Sequence, residues 1–259
     1  MQDLLARAAA IVQSAGDIIR DQWDRKKDIR KKGRIDLVTQ TDTAVERFLV
    51  EELGRLLPGS AFLAEESAAT TVPGPRTWII DPIDGTTNYA HGFPFVCTSV
   101  ALWDGDKVAL GVVHAPMLGE TFLAAAGLGA SCNGRPMRVS RTAHLADALV
   151  ATGFPYAIEA HMADILVELE RVLAATQGVR RPGSAALDLA YTAAGRFDAF
   201  YEKALNPWDT AAGWLLVAEA GGCVTQYLPN APYDLKAPTI LATNGHLHAA
   251  LLDLLTPAP

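Results

Sequence analysis

The sequence predicts an α+β protein, in which helices and short strands share one large core. Residues 3–24 carry apolar side chains at the three-and-four spacing of an amphipathic helix. Residues 95–126 contain three strand-like runs separated by glycine-containing turns, which predicts an antiparallel meander. Beyond about residue 145 predicted helices alternate with short strands, so we expect a soft boundary between sub-domains 1–144 and 145–259.

A second helix is predicted over residues 43–57. Thr43 and Glu46 have the spacing of a capping box, and Pro58-Gly59 ends the segment. The second half of the chain predicts three more helices and two short strands. The helices span about 158–176, 184–195 and 208–220, and the strands cover residues 199–201 and 223–225.

The composition favours an enzyme over a nucleic-acid-binding protein. Half of the 259 residues are apolar and the formal net charge is −7, whereas nucleic-acid binding usually requires a basic surface. Three widely spaced cysteines fit neither a disulfide framework nor a zinc site, so they are predicted to be buried small residues. No pattern of a signal peptide or a membrane span is present, so we expect a cytoplasmic protein.

Two short apolar runs end at acidic residues. Residues 61–64 are followed by Glu65, and residues 77–80 are followed by Asp81. Because both runs are typical of buried strands, we expect the two carboxylates at the C-terminal ends of strands. Two carboxylates in such positions predict a functional site.

The segment Asp81-Pro-Ile-Asp-Gly-Thr86 offers the oxygen ligands that Mg²⁺ prefers. Its two carboxylates lie three residues apart around a proline, and Gly85 allows a sharp turn of the backbone. Asp81, Asp84 and the carbonyl of Ile83 are therefore candidate ligands of a hard cation. An ordinary Asp-Gly turn explains the same six residues, so the motif alone leaves both interpretations open.

Further acidic residues favour the metal hypothesis. Glu65-Glu66 follows one predicted strand, and Asp209 opens a later helix behind Asn206 and Pro207, which are favoured at helix starts. The segment Asp36–Asp42 adds acids and hydroxyls just ahead of a helix. Taken alone, Asp209 is explained by the helix dipole, and the segment 36–42 is explained by a turn with a helix cap.

Four blocks of the sequence together resemble the inositol monophosphatase family. They are Asp36–Thr39 with Asp42, Glu65-Glu66-Ser67, Trp78–Thr87, and Pro207-Trp-Asp209 through Ala218–Gly222. The blocks have the order and approximate spacing of that family and cover nearly the whole chain. The resemblance implies the layered α/β/α/β/α fold of its superfamily and a Mg²⁺-dependent phosphatase of inositol 1-phosphate.

The resemblance also implies roles for individual residues. It places one Mg²⁺ on Glu65, Asp81 and the Ile83 carbonyl, a second on Asp81, Asp84 and Asp209, and a third, weaker ion on Glu65. It gives Asp42 and Thr86 the task of orienting the attacking water, and places Lys31 near the active-site loop. The substrate-binding residues that it implies are Asp84, Gly85, Thr86, Gly183, Ser184, Ala185, Glu202 and Asp209.

The expected mechanism is in-line attack by a metal-bound water on a phosphate monoester, without a covalent phosphoenzyme. The main mechanistic alternative is a haloacid-dehalogenase-like phosphatase, but its D-x-D-G-T motif has one residue between the acids instead of two. Ala64 and Ser184 depart from residues found in many or some family members. Neither departure removes a ligand.

The sequence leaves the substrate open, because enzymes with this metal core also act on fructose bisphosphate, histidinol phosphate or phosphoadenosine phosphate. Glu202 and the turn 183–185 favour a polyol, since they can hydrogen-bond ring hydroxyls, but they can also meet an amine. An alternative of another class is a regulatory or RNA-associated protein that binds through the basic segment 25–34. The family resemblance implies a homodimer, with strands 95–126 forming either its contact surface or the core.

Overall fold

Two β-sheets, with helices between them and on their outer faces, form the body of the molecule. The computed structural model describes residues 1–25, 29–31, 37–68, 72–155, 157–228 and 231–256. The helices are α1 (Gln2–Gln22), α2 (Gln40–Leu56), α3 (Thr86–His91), α4 (Ile158–Ala175), α5 (Ala185–Ala193), α6 (Pro207–Glu219) and α7 (His248–Leu255). The strands are β1 (Ile29–Lys31), β2 (Leu37–Thr39), β3 (Ala61–Ala64), β4 (Thr77–Asp84), β5 (Cys97–Asp104), β6 (Lys107–Ala115), β7 (Glu120–Ala125), β8 (Ala130–Cys132), β9 (Arg135–Pro136), β10 (Leu149–Thr152), β11 (Gly178–Arg180), β12 (Ala199–Lys203), β13 (Cys223–Thr225) and β14 (Thr239–Thr243).

Helices and sheets alternate in layers. α1 and α2 cover one face of the larger sheet, which runs from β3 to β9. α5 and α6 lie between this sheet and the smaller one, which contains β10 to β14. α4 and α7 contact each other and the smaller sheet. The layered α/β/α/β/α fold implied by the family resemblance is therefore confirmed.

The larger sheet has the strand order β3-β4-β5-β6-β7-β8-β9. β3 is parallel to β4, and each later strand is antiparallel to the one before it, which confirms the predicted meander. Every residue of β4 is buried, and so are nearly all residues of β5 and β6. The apolar strands in region 95–126 consequently belong to the core.

The smaller sheet has the order β11-β10-β12-β14-β13, with β10 parallel to both of its neighbours. The apolar pattern of the sequence does not predict β10, β11, β14 or α7. These strands have only three to five residues, and a run this short shows no period that separates strand from helix. The helices α4, α5 and α6 lie where the sequence predicts them.

α1 confirms the predicted N-terminal helix. Its buried face includes Ala8, Val12, Ala15 and Ile19, at helical spacing. Gly16 allows the helix to lie close to the larger sheet, because a Cβ at this position would come within 2.5 Å of the His114 ring on β6.

The start of α2 differs from the prediction. Thr39 is the N-cap residue, and its backbone N–H donates to the Asp42 carboxylate at 2.9 Å. The prediction of a capping box at Thr43 and Glu46 was wrong. The Glu46 carboxylate instead accepts a hydrogen bond from the backbone N–H of Glu66, at 2.8 Å, and so ties α2 to the end of β3.

The cysteines differ in their burial. Cys97 is buried, as predicted for all three, whereas Cys132 and Cys223 are only partly buried. No helix in the described part of the chain has the length and apolar character needed to cross a membrane.

Candidate active site

Two aspartates of one strand and a third from a distant helix meet at one end of the larger sheet. Asp81 and Asp84 lie in the last part of β4, and Asp209 lies in the first turn of α6. Each offers one carboxylate oxygen, and these oxygens lie within 4.8 Å of one another. The fold therefore brings together the acids that the motif and the later helix contribute separately.

A bulge in β4 lets its two aspartates share one cleft. The register with β5 shifts between Asp81 and Asp84. Pro82 lies in this interval and has no N–H to donate to the sheet, while its carbonyl accepts a hydrogen bond from Thr98 Oγ1 at 2.9 Å. In a regular strand, residues three apart point to opposite faces. The bulge removes this constraint, and both side chains line the same cleft.

Gly85 makes the turn from β4 into α3. Its φ of 96° lies in the left-handed region, where side chains other than glycine are strained. A Cβ at this position would also lie 3.0 Å from the Phe95 carbonyl oxygen and 3.2 Å from that of Gly183. The turn places Thr86 at the start of α3, next to the aspartates.

Asp84 is held by the N-terminal end of α5. Its Oδ2 accepts hydrogen bonds from Ser184 Oγ at 2.7 Å and from the backbone N–H of Ala186 at 2.6 Å. Burial raises the pKa of Asp84 to about 6, although these two hydrogen bonds act in the opposite direction. The side chain is therefore fixed in position while its second oxygen stays free of these bonds.

Asp209 is held by its own helix start. Its Oδ2 accepts a hydrogen bond from the backbone N–H of Asn206 at 2.7 Å, as the predicted N-cap position of Asn206 requires. Burial, followed by repulsion from Asp84 and Glu65, raises the pKa of Asp209 well above its usual value.

Asp81 has the fewest favourable interactions for its carboxylate among the three aspartates. Only 2 % of the residue is exposed, and its Oδ1 has no hydrogen-bond partner among the described residues. Burial raises the pKa of Asp81 well above its usual value, and the charges of Glu65, Asp84 and Asp209 raise it further. An orphaned oxygen among like charges indicates that the site is completed by a cation.

The cleft around Asp81 offers the ligand atoms that a hard metal cation prefers. None of the described residues that line it is basic. Glu65 follows β3 directly, its backbone N–H donates to the Ile80 carbonyl at 3.1 Å, and its side chain lines the cleft with Ile83. Carboxylate and carbonyl oxygens are the ligands of Mg²⁺ and Mn²⁺, so the residues present fit a divalent cation of this type.

Asp42 and Thr86 also meet, as the family resemblance implies. Thr86 Oγ1 lies 3.3 Å from Asp42 Oδ1 and 3.0 Å from the Ile83 carbonyl oxygen, so its hydroxyl can donate to either. The other Asp42 oxygen accepts from the backbone N–H of Thr39. Burial raises the pKa of Asp42 to about 6, against hydrogen bonds from Thr39 that lower it.

A second cavity, of about 100 Å³, adjoins the aspartates. The predicted substrate residues Gly183, Ser184, Ala185 and Glu202 all line it, together with Asp84, Gly85, Thr86 and Asp209. Burial raises the pKa of Glu202 to about 8, although the positive charge of Arg181 acts to lower it. Among the described residues, the cavity therefore combines carboxyl groups with the positively charged side chain of Arg181.

The sequence reasoning missed several residues of this cavity. Arg181, Phe154 and Asp188 line it, and the Arg181 guanidinium lies 5.3 Å from the centre of the Phe154 ring. Gly153 is required by close approach, since a Cβ there would lie 2.0 Å from Glu202 Oε2. Proximity to the turn at Gly183 is the signal that could have identified Arg181.

Part of the predicted N-terminal site lies outside the described residues. Asp36 and most of the basic segment 25–34 belong to that part. The backbone of Lys31 pairs with that of Leu37 where β1 meets β2, but its side chain is also outside the described set. The roles expected for Lys31 and for the basic segment stay predictions.

Comparison with known proteins identifies the family. A model of the inositol monophosphatase family matches residues 1–258. The chain belongs to the inositol monophosphatase family. The resemblance of the four sequence blocks is thereby confirmed, and the predicted enzyme class, a phosphatase, is confirmed with it. This assignment disfavours the haloacid-dehalogenase-like alternative.

Relatives within the inositol monophosphatase family match this chain along most of its length. The inositol-1-monophosphatase of Synechocystis sp. is 44% identical, over 100% of this chain and 91% of that protein. The structure of the extragenic suppressor protein SuhB from Bartonella henselae has a TM-score of 0.92 and 38% identity, covering 100% of this chain and 99% of that one. The inositol monophosphatase from Anabaena (Nostoc) sp. has a TM-score of 0.89 and 39% identity, covering 100% and 97%.

The two departures from the family pattern are accommodated without loss of a site residue. Ser184 caps α5 by accepting a hydrogen bond from the Leu187 N–H at 3.3 Å, while its hydroxyl donates to Asp84. A serine therefore supplies both interactions that a threonine hydroxyl would supply. Ala64 is buried at the end of β3, one residue before Glu65.

Proposed function

We propose that this chain is a Mg²⁺-dependent phosphomonoesterase that hydrolyses inositol 1-phosphate to inositol and inorganic phosphate. The observation that carries the proposal is the convergence of Asp81, Asp84 and Asp209, in which Oδ1 of Asp81 is buried without a hydrogen-bond partner among the described residues. The adjoining cavity, lined by Glu202 and the start of α5, supports a polyol as the leaving group. The Synechocystis relative, whose name specifies inositol 1-phosphate, supports the same substrate.

Two to three Mg²⁺ ions would bind to the acidic cluster. Glu65, Asp81 and the Ile83 carbonyl would hold one ion, Asp81, Asp84 and Asp209 a second, and Glu65 a weaker third. When bound, the ions neutralise the charge of the phosphate and lower the pKa of water. Carboxylates suit this task because their charged oxygens are the ligands that Mg²⁺ prefers.

Asp42 and Thr86 would orient the attacking water and receive its proton. When the Thr86 hydroxyl donates to Asp42 Oδ1, a lone pair of Thr86 Oγ1 is left to accept a hydrogen bond from water. A general base works best when its pKa is near the operating pH. The pKa of about 6 for buried Asp42 is closer to neutrality than that of an exposed aspartate, and so fits this role.

Backbone and side-chain groups would orient the substrate. Gly85, Thr86 and Thr87 line the cavity at the start of α3, where their backbone N–H groups would donate to phosphate oxygens. Ser184 and Ala185 lie at the start of α5 on the wall of the cavity, and Glu202 faces them from β12. Glu202 would accept a hydrogen bond from a hydroxyl of the polyol and so favour substrates that carry one.

The test is a panel of phosphate monoesters assayed with Mg²⁺ and with EDTA. It contains inositol 1-phosphate, histidinol phosphate, fructose 1,6-bisphosphate and 4-nitrophenyl phosphate. We expect Mg²⁺-dependent release of phosphate with the highest kcat/KM for inositol 1-phosphate. A higher value for another substrate would reject the proposed substrate and keep the phosphatase. No Mg²⁺-dependent release from any monoester would reject the catalytic proposal and favour the regulatory or RNA-associated alternative.

We further propose that residues 1–144 and 145–259 work as one catalytic unit in a cytoplasmic homodimer. The aspartates of the cluster come from both parts of the chain, which supports a shared site. An exposed apolar stripe on α4, with Met162, Leu166 and Leu173 at helical spacing, supports self-association. Light scattering after size-exclusion chromatography tests the dimer, and a monomer at micromolar concentration would reject it.

A further inference from the structure

The substrate cavity contains a carboxylate that the proposed mechanism does not use. Asp188 lies on α5, is 1 % exposed and lines the cavity. Its Oδ1 has no hydrogen-bond partner among the described residues. Buried polar atoms in native proteins almost always have partners, so this oxygen calls for an explanation.

Asp188 lies one turn into α5, close to the start of the helix. Its backbone N–H donates to the Ser184 carbonyl at 2.9 Å, so Asp188 lies one helical turn beyond Ser184. Residues separated by one turn share a face of the helix. Ser184 lines the cavity and its hydroxyl donates to Asp84, and Asp188 lines the same cavity one turn farther along α5.

A second buried aspartate shows what a purely structural role looks like in this chain. Asp198 is 7 % exposed, and both of its carboxylate oxygens are bonded. Oδ1 accepts from Ser140 Oγ at 2.5 Å, and Oδ2 accepts from the backbone N–H of Leu149 at 2.7 Å. In the described part of the chain Oδ1 of Asp188 has no such bond, so holding the fold together does not explain this carboxylate.

The charges around Asp188 indicate which chemical group completes it. Glu202 and Asp84 repel its negative charge, and the Arg181 guanidinium attracts it. Asp188 is not among the acids whose oxygens converge in the metal cluster. Arg181 offsets only part of the negative charge of these carboxyls, so a ligand rich in hydrogen-bond donors would satisfy the oxygens that remain. A hydroxyl fits either protonation state of a carboxyl, since it both donates and accepts.

We propose that Asp188 is a specificity-determining residue, which hydrogen-bonds a ring hydroxyl of the substrate other than the hydroxyl bound by Glu202. The cavity would thus distinguish polyol phosphates by two separate carboxyl contacts, one from α5 and one from β12. This inference rests on the proposed function, since it assigns the substrate hydroxyls of that same site.

The first test compares three variants on two substrates. Asp188→Ala removes the contact, Asp188→Asn keeps one acceptor oxygen, and Thr192→Val changes a buried residue one turn farther along α5 that does not line the cavity. For inositol 1-phosphate we expect Asp188→Ala to lower kcat/KM by about 10- to 100-fold, mainly through KM. Asp188→Asn should lose less, and Thr192→Val should match wild type.

The second substrate, 4-nitrophenyl phosphate, has no ring hydroxyl. Its turnover by Asp188→Ala should stay within about threefold of wild type, because its phosphate still meets an intact metal site. Equal losses on both substrates, or no loss on either, would overturn the inference. Activity on the aryl phosphate also shows that the variants are folded.

A cycle with deoxy analogues of inositol 1-phosphate identifies the hydroxyl. Wild type should lose activity on the analogue that lacks the hydroxyl bound by Asp188, and Asp188→Ala should lose no more on that analogue. Additive losses for every analogue would overturn the assignment. A wild-type enzyme that hydrolyses only the aryl phosphate would reject the proposed substrate itself, an outcome distinct from equal losses in an enzyme active on inositol 1-phosphate.

Discussion

Replacement of Asp81 by asparagine should stabilise the metal-free protein while abolishing its activity. Asp81 is almost completely buried, its Oδ1 has no partner among the described residues, and Glu65, Asp84 and Asp209 repel its charge. Asparagine has nearly the same shape but no charge, so the substitution removes the repulsion without opening a cavity. Without the charge, however, the position loses its main interaction with Mg²⁺.

The size of the stabilisation can be worked out from the cost of burying the Asp81 carboxylate without a hydrogen-bond partner for Oδ1. Leaving a buried polar group without a partner costs about 1 to 3 kcal/mol, and more when the group is charged. Part of that destabilisation should disappear in Asp81→Asn. For a domain of this size each kcal/mol changes the midpoint of thermal unfolding by roughly 2 to 4 °C, so the rise should be several degrees.

Thermal unfolding in EDTA and in excess Mg²⁺ measures both effects. In EDTA, Asp81→Asn should unfold at a higher temperature than wild type. Addition of Mg²⁺ should raise the midpoint of wild type, since a ligand at about 100 times its Kd stabilises by about 2.7 kcal/mol, and should raise that of the variant much less. Phosphate release by the variant should fall to background.

Asp198→Asn is the matched control, because Asp198 is also buried but has bonded oxygens. It should lower the unfolding midpoint equally with and without Mg²⁺. If Asp81→Asn behaved like this control, Asp81 would be an ordinary structural aspartate and the reasoning about the cluster would be refuted. If Mg²⁺ raised the unfolding midpoint of Asp81→Asn as much as that of wild type, Asp81 would not be a ligand of the ion.

Three further predictions concern the same region. In EDTA the free energy of unfolding should decrease as pH rises from about 5 to 8. In the folded protein the pKa is about 8 for Glu202 and about 6 for Asp84 and Asp42. These carboxyls therefore hold protons in the folded state that the unfolded chain has already released. Urea denaturation measures this slope, and a stability that increases over the range would contradict it. Gly85→Ala should lower the free energy of unfolding by about 1 to 2 kcal/mol, because φ is positive and the Phe95 carbonyl is close; it should also lower kcat, and unchanged values of both would exclude strain at the turn. Glu202→Gln should raise KM for inositol 1-phosphate about tenfold and alter turnover of 4-nitrophenyl phosphate much less; equal changes would detach Glu202 from specificity.

The acids of the proposed metal cluster could be singled out in the sequence because each one occupies a local pattern. Asp81 and Asp84 stand in a strand-to-turn motif, and Asp209 stands in a helix start that its own N-cap residue marks. Their distances could not be predicted, since they depend on the bulge at Pro82 and on the packing of α6 against the larger sheet.

The capping box of α2 shows how tertiary contacts decide between equal local patterns. Thr39 with Asp42 and Thr43 with Glu46 have the same spacing, so local sequence does not separate them. The Glu46 carboxylate accepts a hydrogen bond from the backbone N–H of Glu66, which is 20 residues away in the chain, and is therefore not part of a helix cap. Asp188 was missed for a related reason, because a single acid in a mostly apolar helix gives no sign of which cavity it faces.

The two clefts of the active site share the segment 84–86 and the start of α6, but their other walls come from different elements. Substitutions on β12, in the loop at 153–155, or on α5 beyond the residues that bind Asp84 would reshape the proposed substrate pocket and leave the acids of the proposed ion site in place. Natural variation can therefore retarget such an enzyme to a new phosphate ester in small steps, each of which retains a working hydrolytic centre. The same division gives protein engineers a defined set of positions for altering selectivity.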